Sequence, residues 1–112
     1  MNMRRLMSIA AVLFALAIPL AAQTPAKELL KKAKAAFDDE DRDLARELYL
    51  QVIDLDAEES DAYYRLGLLA DNPEDAIDWF KQYVDLEPDD AWGWLALGDK
   101  FLKVKKSLEA RD

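Results

Sequence analysis

The residues of this chain that could carry out chemistry are acidic, because its 112 residues include no histidine and no cysteine. Two pairs of neighbouring carboxylates, Glu58/Glu59 and Asp89/Asp90, have the composition that general acid–base catalysis uses. Both pairs fall between segments of helical periodicity, where acidic residues commonly cap helices. The chain also lacks the ligands that zinc and copper prefer. We therefore predict that it is not an enzyme and that it holds no metal and no cofactor.

A further acidic stretch, residues 38–43, contains alternating aspartates and suggests a calcium-binding loop. A loop of that kind starting at Asp39 needs glycine at its sixth position and a bidentate acid at its twelfth. Those positions hold Leu44 and Leu50. The stretch instead favours a turn between two helices, with its acids at the positive N-terminal end of the second helix.

The negative charge is concentrated in the middle of the chain. The formal net charge is −8, and residues 38–90 contain nineteen acidic and four basic residues, whereas residues 27–37 and 91–112 are slightly basic. An acidic protein is repelled by nucleic acid, so we predict no nucleic-acid binding. Two explanations of the distribution stay open: solvated outer faces, or attraction between the ends of one copy and the middle of another.

An internal repeat indicates the elements that position these residues. Residues 45–67 align with residues 76–98 at a constant offset of thirty-one residues and without a gap. A repeat of about 20 to 50 residues is typical of stacked architectures, in which each unit buries its apolar face on a neighbour. Few glycines and prolines, with many alanines, leucines, lysines and glutamates, favour helices. We predict an all-α fold.

Apolar periodicity and capping residues predict five helices. The first begins at Thr24–Pro25, the second covers about 43–55, the third about 61–70, the fourth follows Asn72 and ends near Leu86, and Asp90 caps the fifth. The apolar stripe that we expect the fifth helix to bury consists of Ala91, Trp94, Leu95, Gly98, Phe101 and Leu102.

Two motifs within the repeat are specific. Residues 94–101 read Trp-x-x-Leu-Gly-x-x-Phe, and residues 76–80 read Ala-x-x-x-Phe and are followed by Pro88. These motifs resemble the opening and closing signatures of a tetratricopeptide repeat. The resemblance implies antiparallel helix hairpins stacked as a short right-handed solenoid, with units at about 26–59 and 60–90 and a truncated third unit at 91–112. Within each hairpin we expect close approach of small residues: Ala33, Gly67 and Gly98 to Ala45, Ala76 and Ala110.

The resemblance also implies a function and a site. Tetratricopeptide proteins bind an extended peptide or a helix on a concave surface lined by the first helix of each unit, so we expect a non-catalytic adaptor or scaffold. Trp92 lies roughly 200° around its helix from Trp94 and cannot share its direction. It therefore either belongs to this surface or packs against the chain end or another subunit. The partner-binding residues implied here are Lys34, Phe37, Tyr64, Arg65, Leu68, Trp92 and Asp99.

The N-terminal segment has the layout of a secretory signal peptide. Arg4 and Arg5 precede an uncharged apolar stretch that ends in the small residues Ala21 and Ala22. We predict cleavage after Ala22, a mature domain of residues 23–112, and a periplasmic or secreted location. The alternative is an uncleaved anchor, which would make the chain a membrane-tethered or self-oligomerising structural module.

The last predicted helix also raises the question of self-association. It is apolar on more than one side, at Trp92, Leu97, Leu102 and Val104. Repeat arrays usually need about three units and a polar terminal helix to be stable, and this chain has about two and a half. The fifth helix is therefore either a makeshift cap or the interface of a homodimer.

Overall fold

The fold of the protein is all-α, as the sequence predicts. The structure is a computed structural model that describes residues 20–111, with side chains from Pro25 onward. This range contains no strand, and each helix packs mainly on the next helix in the chain. The helices are α1 (Leu20–Asp38), α2 (Arg42–Leu55), α3 (Ser60–Leu69), α4 (Pro73–Leu86) and α5 (Ala91–Arg111).

Side-chain caps fix the starts of three helices where the sequence places them. Asp41 Oδ1 accepts a hydrogen bond from the backbone N–H three residues later at 3.3 Å and begins α2. Asn72 Oδ1 begins α4 in the same way, at 2.8 Å. Asp90 Oδ1 accepts from the N–H two residues later at 3.0 Å and begins α5. Each cap satisfies one of the N–H groups that a helix start leaves without a partner. The predicted bounds of α2, α3 and α4 are confirmed to within about one residue.

The first helix begins earlier than the sequence predicts. Pro25 lies inside α1, which extends back to Leu20, so the predicted start at Thr24–Pro25 is wrong. Leucine and alanine upstream of Pro25 favour helix, although Pro25, as the sixth residue of α1, removes one backbone hydrogen bond. The proposed signal peptide at 1–22 lies mostly outside the described residues, since its first nineteen residues are not part of them.

The end of α1 is a tight turn with an unusual residue at its centre. Glu40 has φ of 61°, in the left-handed region that favours glycine. Asp41 N–H donates to Ala36 O at 2.9 Å and Glu40 N–H donates to Phe37 O at 3.1 Å. This pair of bonds is the Schellman arrangement that closes helix C-termini. It turns the chain sharply, so that α2 returns along α1.

Two clusters of buried side chains make up the core. The first joins α1, α2 and α3 through Ala33, Ala36, Ala45, Tyr49, Val52, Ala62, Leu66 and Leu69. The second joins α4 to α5 through Ala76, Ile77, Phe80, Val84 and Leu97. Close approach of α3 and α4 connects the two clusters, because a Cβ added at Gly67 would lie 2.7 Å from Cδ1 and Cζ of Phe80. Helix α2 buries Ala45, Tyr49 and Val52, and α4 buries Ala76, Ile77, Phe80 and Val84.

The fifth helix turns a different face inward from the one predicted. The residues that it buries are Gly93 and Leu97, with Ala96 and Val104 half-buried. Trp94, Leu95, Phe101 and Leu102 of the predicted stripe are 46% to 62% exposed. The prediction was wrong because α5 is apolar on several sides, so periodicity alone does not select one. Gly93 determines which face of α5 packs on α4. A Cβ at this position would lie 2.7 Å from Cε2 of Tyr83, so only glycine lets the two helices approach this closely.

The expected close approach of Gly98 to Ala110 is also wrong. Both residues lie on α5, which runs without a turn from Ala91 to Arg111, and nothing lies within 4 Å of a Cβ added at Gly98. The segment after Gly98 contains no proline or glycine and is rich in lysine, leucine and glutamate, so the helix simply continues. Across residues 20–111, the helices do not reach the length and apolarity that crossing a bilayer requires.

Candidate partner-binding surface

Three of the predicted site residues meet across α1 and α3. Lys34 Nζ of α1 lies 3.8 Å from Oδ2 of Asp61 in α3, a distance that suits an ion pair but is long for a hydrogen bond. Asp61 Oδ1 lies 3.6 Å from Nε of Arg65, one helical turn further along α3. The Arg65 guanidinium carbon stands 4.6 Å from the centroid of the Phe37 ring. One ion pair, Lys34–Asp61, and one cation–π contact therefore link α1 to α3, while the Asp61–Arg65 pair lies within α3.

Helical spacing places these side chains on one surface. Lys34 and Phe37 are three residues apart on α1, and Asp61, Arg65 and Leu68 follow one another at intervals of four and three on α3. Residues at these intervals share a helix face. Leu68 is 42% exposed, so the surface combines charge with an accessible apolar group. We call these five residues the α1–α3 surface.

A cleft of about 450 Å³ adjoins this surface. Phe37, Glu40, Arg42 and Leu69 line it. Its walls combine an aromatic ring, an aliphatic side chain and one charge of each sign. This mixture suits a peptide, which offers apolar side chains and backbone polar groups together. Because Phe37 belongs to both features, the cleft and the α1–α3 surface form one continuous area.

Two arginines of α2 close the end of α3 beside the cleft. Arg42 Nη2 donates to Leu69 O at 3.0 Å, and Arg46 Nη2 donates to the same oxygen at 2.6 Å. Arg46 Nη2 also lies 3.2 Å from Asp71 Oδ1. Leu69 is the last residue of α3, so its carbonyl has no partner within its own helix. These charge-assisted bonds complement the negative end of α3 and fix the orientation of α2.

A tyrosine hydroxyl is buried beneath the α1–α3 surface. Tyr49 of α2 is fully buried, and its hydroxyl has no hydrogen-bond partner among the described residues. Burial raises the pKa of Tyr49 to about 12, Arg65 opposes this rise, and the charges of Asp61 and Asp38 add to it. The Tyr49 hydroxyl is therefore protonated and neutral at pH 7.

Tyr64 faces a different part of the protein from Arg65. Its ring packs against Phe80 and Tyr83 of α4, with centroid separations of 5.5 and 5.1 Å. The Tyr83 hydroxyl donates a hydrogen bond to Asp90 Oδ2. This bond, with burial and the charge of Asp90, raises the pKa of Tyr83. Tyr64 thus contributes mainly to the packing of α3 on α4.

Trp92 and Asp99 lie on α5, away from the α1–α3 surface. Trp92 is 72% exposed, the largest fraction among the exposed large apolar residues of the described chain. Asp99 Oδ2 pairs with Lys103 Nζ at 3.4 Å on its own helix. No contact among the described residues joins either side chain to Lys34, Phe37 or Arg65. The structure therefore brings together the predicted site residues of α1 and α3 and leaves those of α5 separate.

The acidic pairs lie in the turns before α3 and α5. Asp90 caps α5 and accepts the Tyr83 hydrogen bond, while Asp89 is exposed. Glu58 is exposed, and Glu59 is half-buried. Burial raises the pKa of Glu59, with further increases from the neighbouring Asp56 and Asp61. In residues 20–111 no three acidic side chains converge closely enough to hold a metal ion.

Sequence reasoning missed two parts of this region. Asp61 is the shared partner of Lys34 and Arg65, and the four-residue spacing from Asp61 to Arg65 could have indicated it. Arg42 and Arg46 cap α3 across more than twenty residues of sequence, for which periodicity carries no signal.

Comparison with known proteins assigns no family. No protein-family model matches the chain, and a search of curated proteins returns no match. The resemblance to tetratricopeptide repeats consequently depends on the motifs of this chain.

Proposed function

We propose that the chain is a non-catalytic protein–protein interaction module, an adaptor or scaffold that binds a peptide or helix through the α1–α3 surface and the adjoining cleft. In this proposal its helix pairs are tetratricopeptide-like units stacked as a short right-handed solenoid. The N-terminal signal-like segment supports a periplasmic or secreted location.

One observation carries the proposal: the meeting of Lys34, Phe37 and Arg65 on a single accessible surface, beside a cleft of about 450 Å³. These residues come from the first helices of two successive units. Arg65 is held in place by Asp61 and by the Phe37 ring, so a partner would meet a guanidinium that is already oriented. Arginine and aromatic residues are the types most often found at the centres of protein interfaces.

The short approach between α3 and α4 supports the repeat proposal. Gly67 occupies the small position of the second unit, and the Phe80 ring of the following helix rests on it. Ala33 and Ala45, the small residues of the first unit, are both fully buried in one cluster. In the first two units, small residues of the motif thus lie where helices pack together, which supports the proposal.

A photo-crosslinking amino acid at position 68 tests the function in cells of the source organism. We expect position 68 to capture a defined protein, with the crosslinked residue identified by mass spectrometry. Position 44 provides the matched control, because Leu44 on α2 is 43% exposed and Leu68 is 42% exposed.

A second change separates partner binding from nonspecific capture. Arg65→Ala should abolish the crosslink at position 68, because it removes the cation–π contact and the charge at the centre of the surface. Equal capture at positions 44 and 68, or capture that survives Arg65→Ala, would refute the proposed surface.

A further inference from the structure

The outer face of α5 is apolar and about half exposed, and no helix of the described chain packs over its centre at Gly98. Trp94, Leu95, Phe101 and Leu102 are between 46% and 62% exposed, and a Cβ added at Gly98 would have nothing within 4 Å. Successive helical residues are about 100° apart, so residues three or four positions from Gly98 lie within about 60° of its direction. The five residues therefore form one face, which we call the Gly98 face. The buried contact of α5 with α4 is made by Gly93 and Leu97, on another side of the helix. At the edge of the Gly98 face, Lys81 Nζ of α4 lies 5.6 Å from the centroid of the Phe101 ring, and Trp94 Nε1 donates a hydrogen bond to Pro88 O at 2.8 Å.

The Gly98 face is symmetric about its central glycine. Leu95 and Phe101 lie three residues before and after Gly98, and Trp94 and Leu102 lie four residues before and after it. A two-fold interface requires each surface to be its own complement. If two α5 helices cross antiparallel at Gly98, helical geometry places Trp94 against Phe101 of the other copy and Leu95 against Leu102. Glycine at the crossing point lets the two backbones approach closely.

The charges on α5 favour the same antiparallel pairing. Exposed acids, Glu87 and Asp89, precede the helix, and exposed bases, Lys105 and Lys106, lie seven and eight residues after Gly98. Lys105 Nζ also lies 4.0 Å from Oε1 of Glu109 on its own helix, a pair in which both side chains are largely exposed. An antiparallel pair places the acidic end of one copy beside the basic segment of the other. A parallel pair would place like charges together, which is unfavourable.

From this symmetry and charge pattern we infer that the Gly98 face is the interface of a homodimer, formed by two antiparallel α5 helices that cross at Gly98. The inference does not depend on the proposed adaptor function. Trp92 lies about 120° around the helix from Gly98, outside this face, and the α1–α3 surface lies on other helices. The dimer would therefore leave the proposed partner site accessible.

Mass measurement of the full chain by light scattering tests the interface. We expect a dimer at about 100 μM, and Leu102→Glu should raise the dissociation constant by about 100-fold, because it buries a carboxylate without a partner. Leu44→Glu on α2 is the matched control, since it makes the same change at a leucine of similar exposure, and it should leave the dimer intact. A monomeric wild-type chain, or equal effects of the two variants, would overturn the inference.

Disulfide trapping then tests the register, which the cysteine-free chain makes straightforward. Under mild oxidation Gly98→Cys should crosslink to itself, because a residue on a two-fold axis meets its own copy. Leu95→Cys should not crosslink alone but should do so when mixed with Leu102→Cys. Self-crosslinking of Leu95→Cys would indicate parallel helices and contradict the inference. Protection of Gly98→Cys from alkylation in a monomeric chain would show that residues 1–19 or a lipid cover the face, which also contradicts it.

Discussion

Alanine at two equivalent glycines of the repeat should have opposite effects on stability. Gly67 and Gly98 occupy the same position thirty-one residues apart. A Cβ at Gly67 would lie 2.7 Å from two carbons of the Phe80 ring, and Phe80 is fully buried, so its ring has nowhere to move. A Cβ at Gly98 would meet nothing within 4 Å. The same substitution therefore introduces overpacking at one site and none at the other.

The expected magnitudes follow from two opposing effects. Alanine stabilises a helix interior by about 1 kcal/mol relative to glycine, whereas overpacking a core costs about 1–3 kcal/mol. Gly98→Ala should therefore raise the free energy of unfolding by about 0.5–1 kcal/mol. Gly67→Ala should lower it by up to about 2 kcal/mol after the helix gain is subtracted. For a domain of this size, each kcal/mol corresponds to a Tm shift of roughly 4–8 °C.

Urea unfolding followed by circular dichroism measures both values, at protein concentrations low enough for the chain to be monomeric. Gly93→Ala provides a control within α5, because its Cβ would lie 2.7 Å from Cε2 of Tyr83 and should destabilise. A loss of stability in Gly98→Ala comparable to that in Gly93→Ala would show that α5 does not present the face described above, and would refute the reasoning.

Three further changes test other parts of the structure. Tyr49→Phe should raise the free energy of unfolding by about 1 kcal/mol, because it removes a buried hydroxyl that has no hydrogen-bond partner. If urea unfolding shows that the variant is less stable than the wild type, the hydroxyl forms a hydrogen bond and the prediction is wrong. Glu40→Gly should raise the free energy of unfolding by about 1 kcal/mol in the same assay, since φ of 61° favours glycine. Glu40→Ala is the control and should not raise it. Glu59→Gln should stabilise at pH 7, because burial raises the Glu59 pKa in the folded state and its ionisation therefore lowers stability as pH rises above about 4.5. The stability gain of Glu59→Gln should disappear at pH 4, where Glu59 is largely protonated in both states. A stability gain that does not depend on pH would contradict the raised pKa.

The accuracy of sequence reasoning differed between elements for physical reasons. The starts of α2, α4 and α5 were predictable because Asp41, Asn72 and Asp90 act locally, within three residues of their own position. The start of α1 was not predictable, because proline usually marks the first turn of a helix, whereas Pro25 lies five residues after the start of α1. The buried face of α5 was not predictable from periodicity, because the helix is apolar on several sides.

The candidate site also shows that local sequence patterns do not predict contacts between helices. The α1 and α3 residues of the site came from a motif resemblance, and the structure places Lys34 and Arg65 on one surface. Their common partner Asp61 lies twenty-seven residues from Lys34, so that contact depends on how α1 packs against α3. The spacing of residues within one helix carries no information about how two helices pack together. The four-residue spacing in α3 could therefore indicate the pairing of Asp61 with Arg65, but not the pairing of Asp61 with Lys34.

The different surroundings of Gly67 and Gly98 support the proposed dimer. After Gly67 the chain turns, α4 folds back on α3, and the Phe80 ring fills the space above Gly67. After Gly98 the helix α5 continues without a turn, so the corresponding space above Gly98 lacks a covering helix in the described chain. A second copy of α5 would supply an aromatic and aliphatic helix face at that place, as α4 does for α3. The proposed dimer would thus extend between molecules the helix pairing that the repeat forms within one.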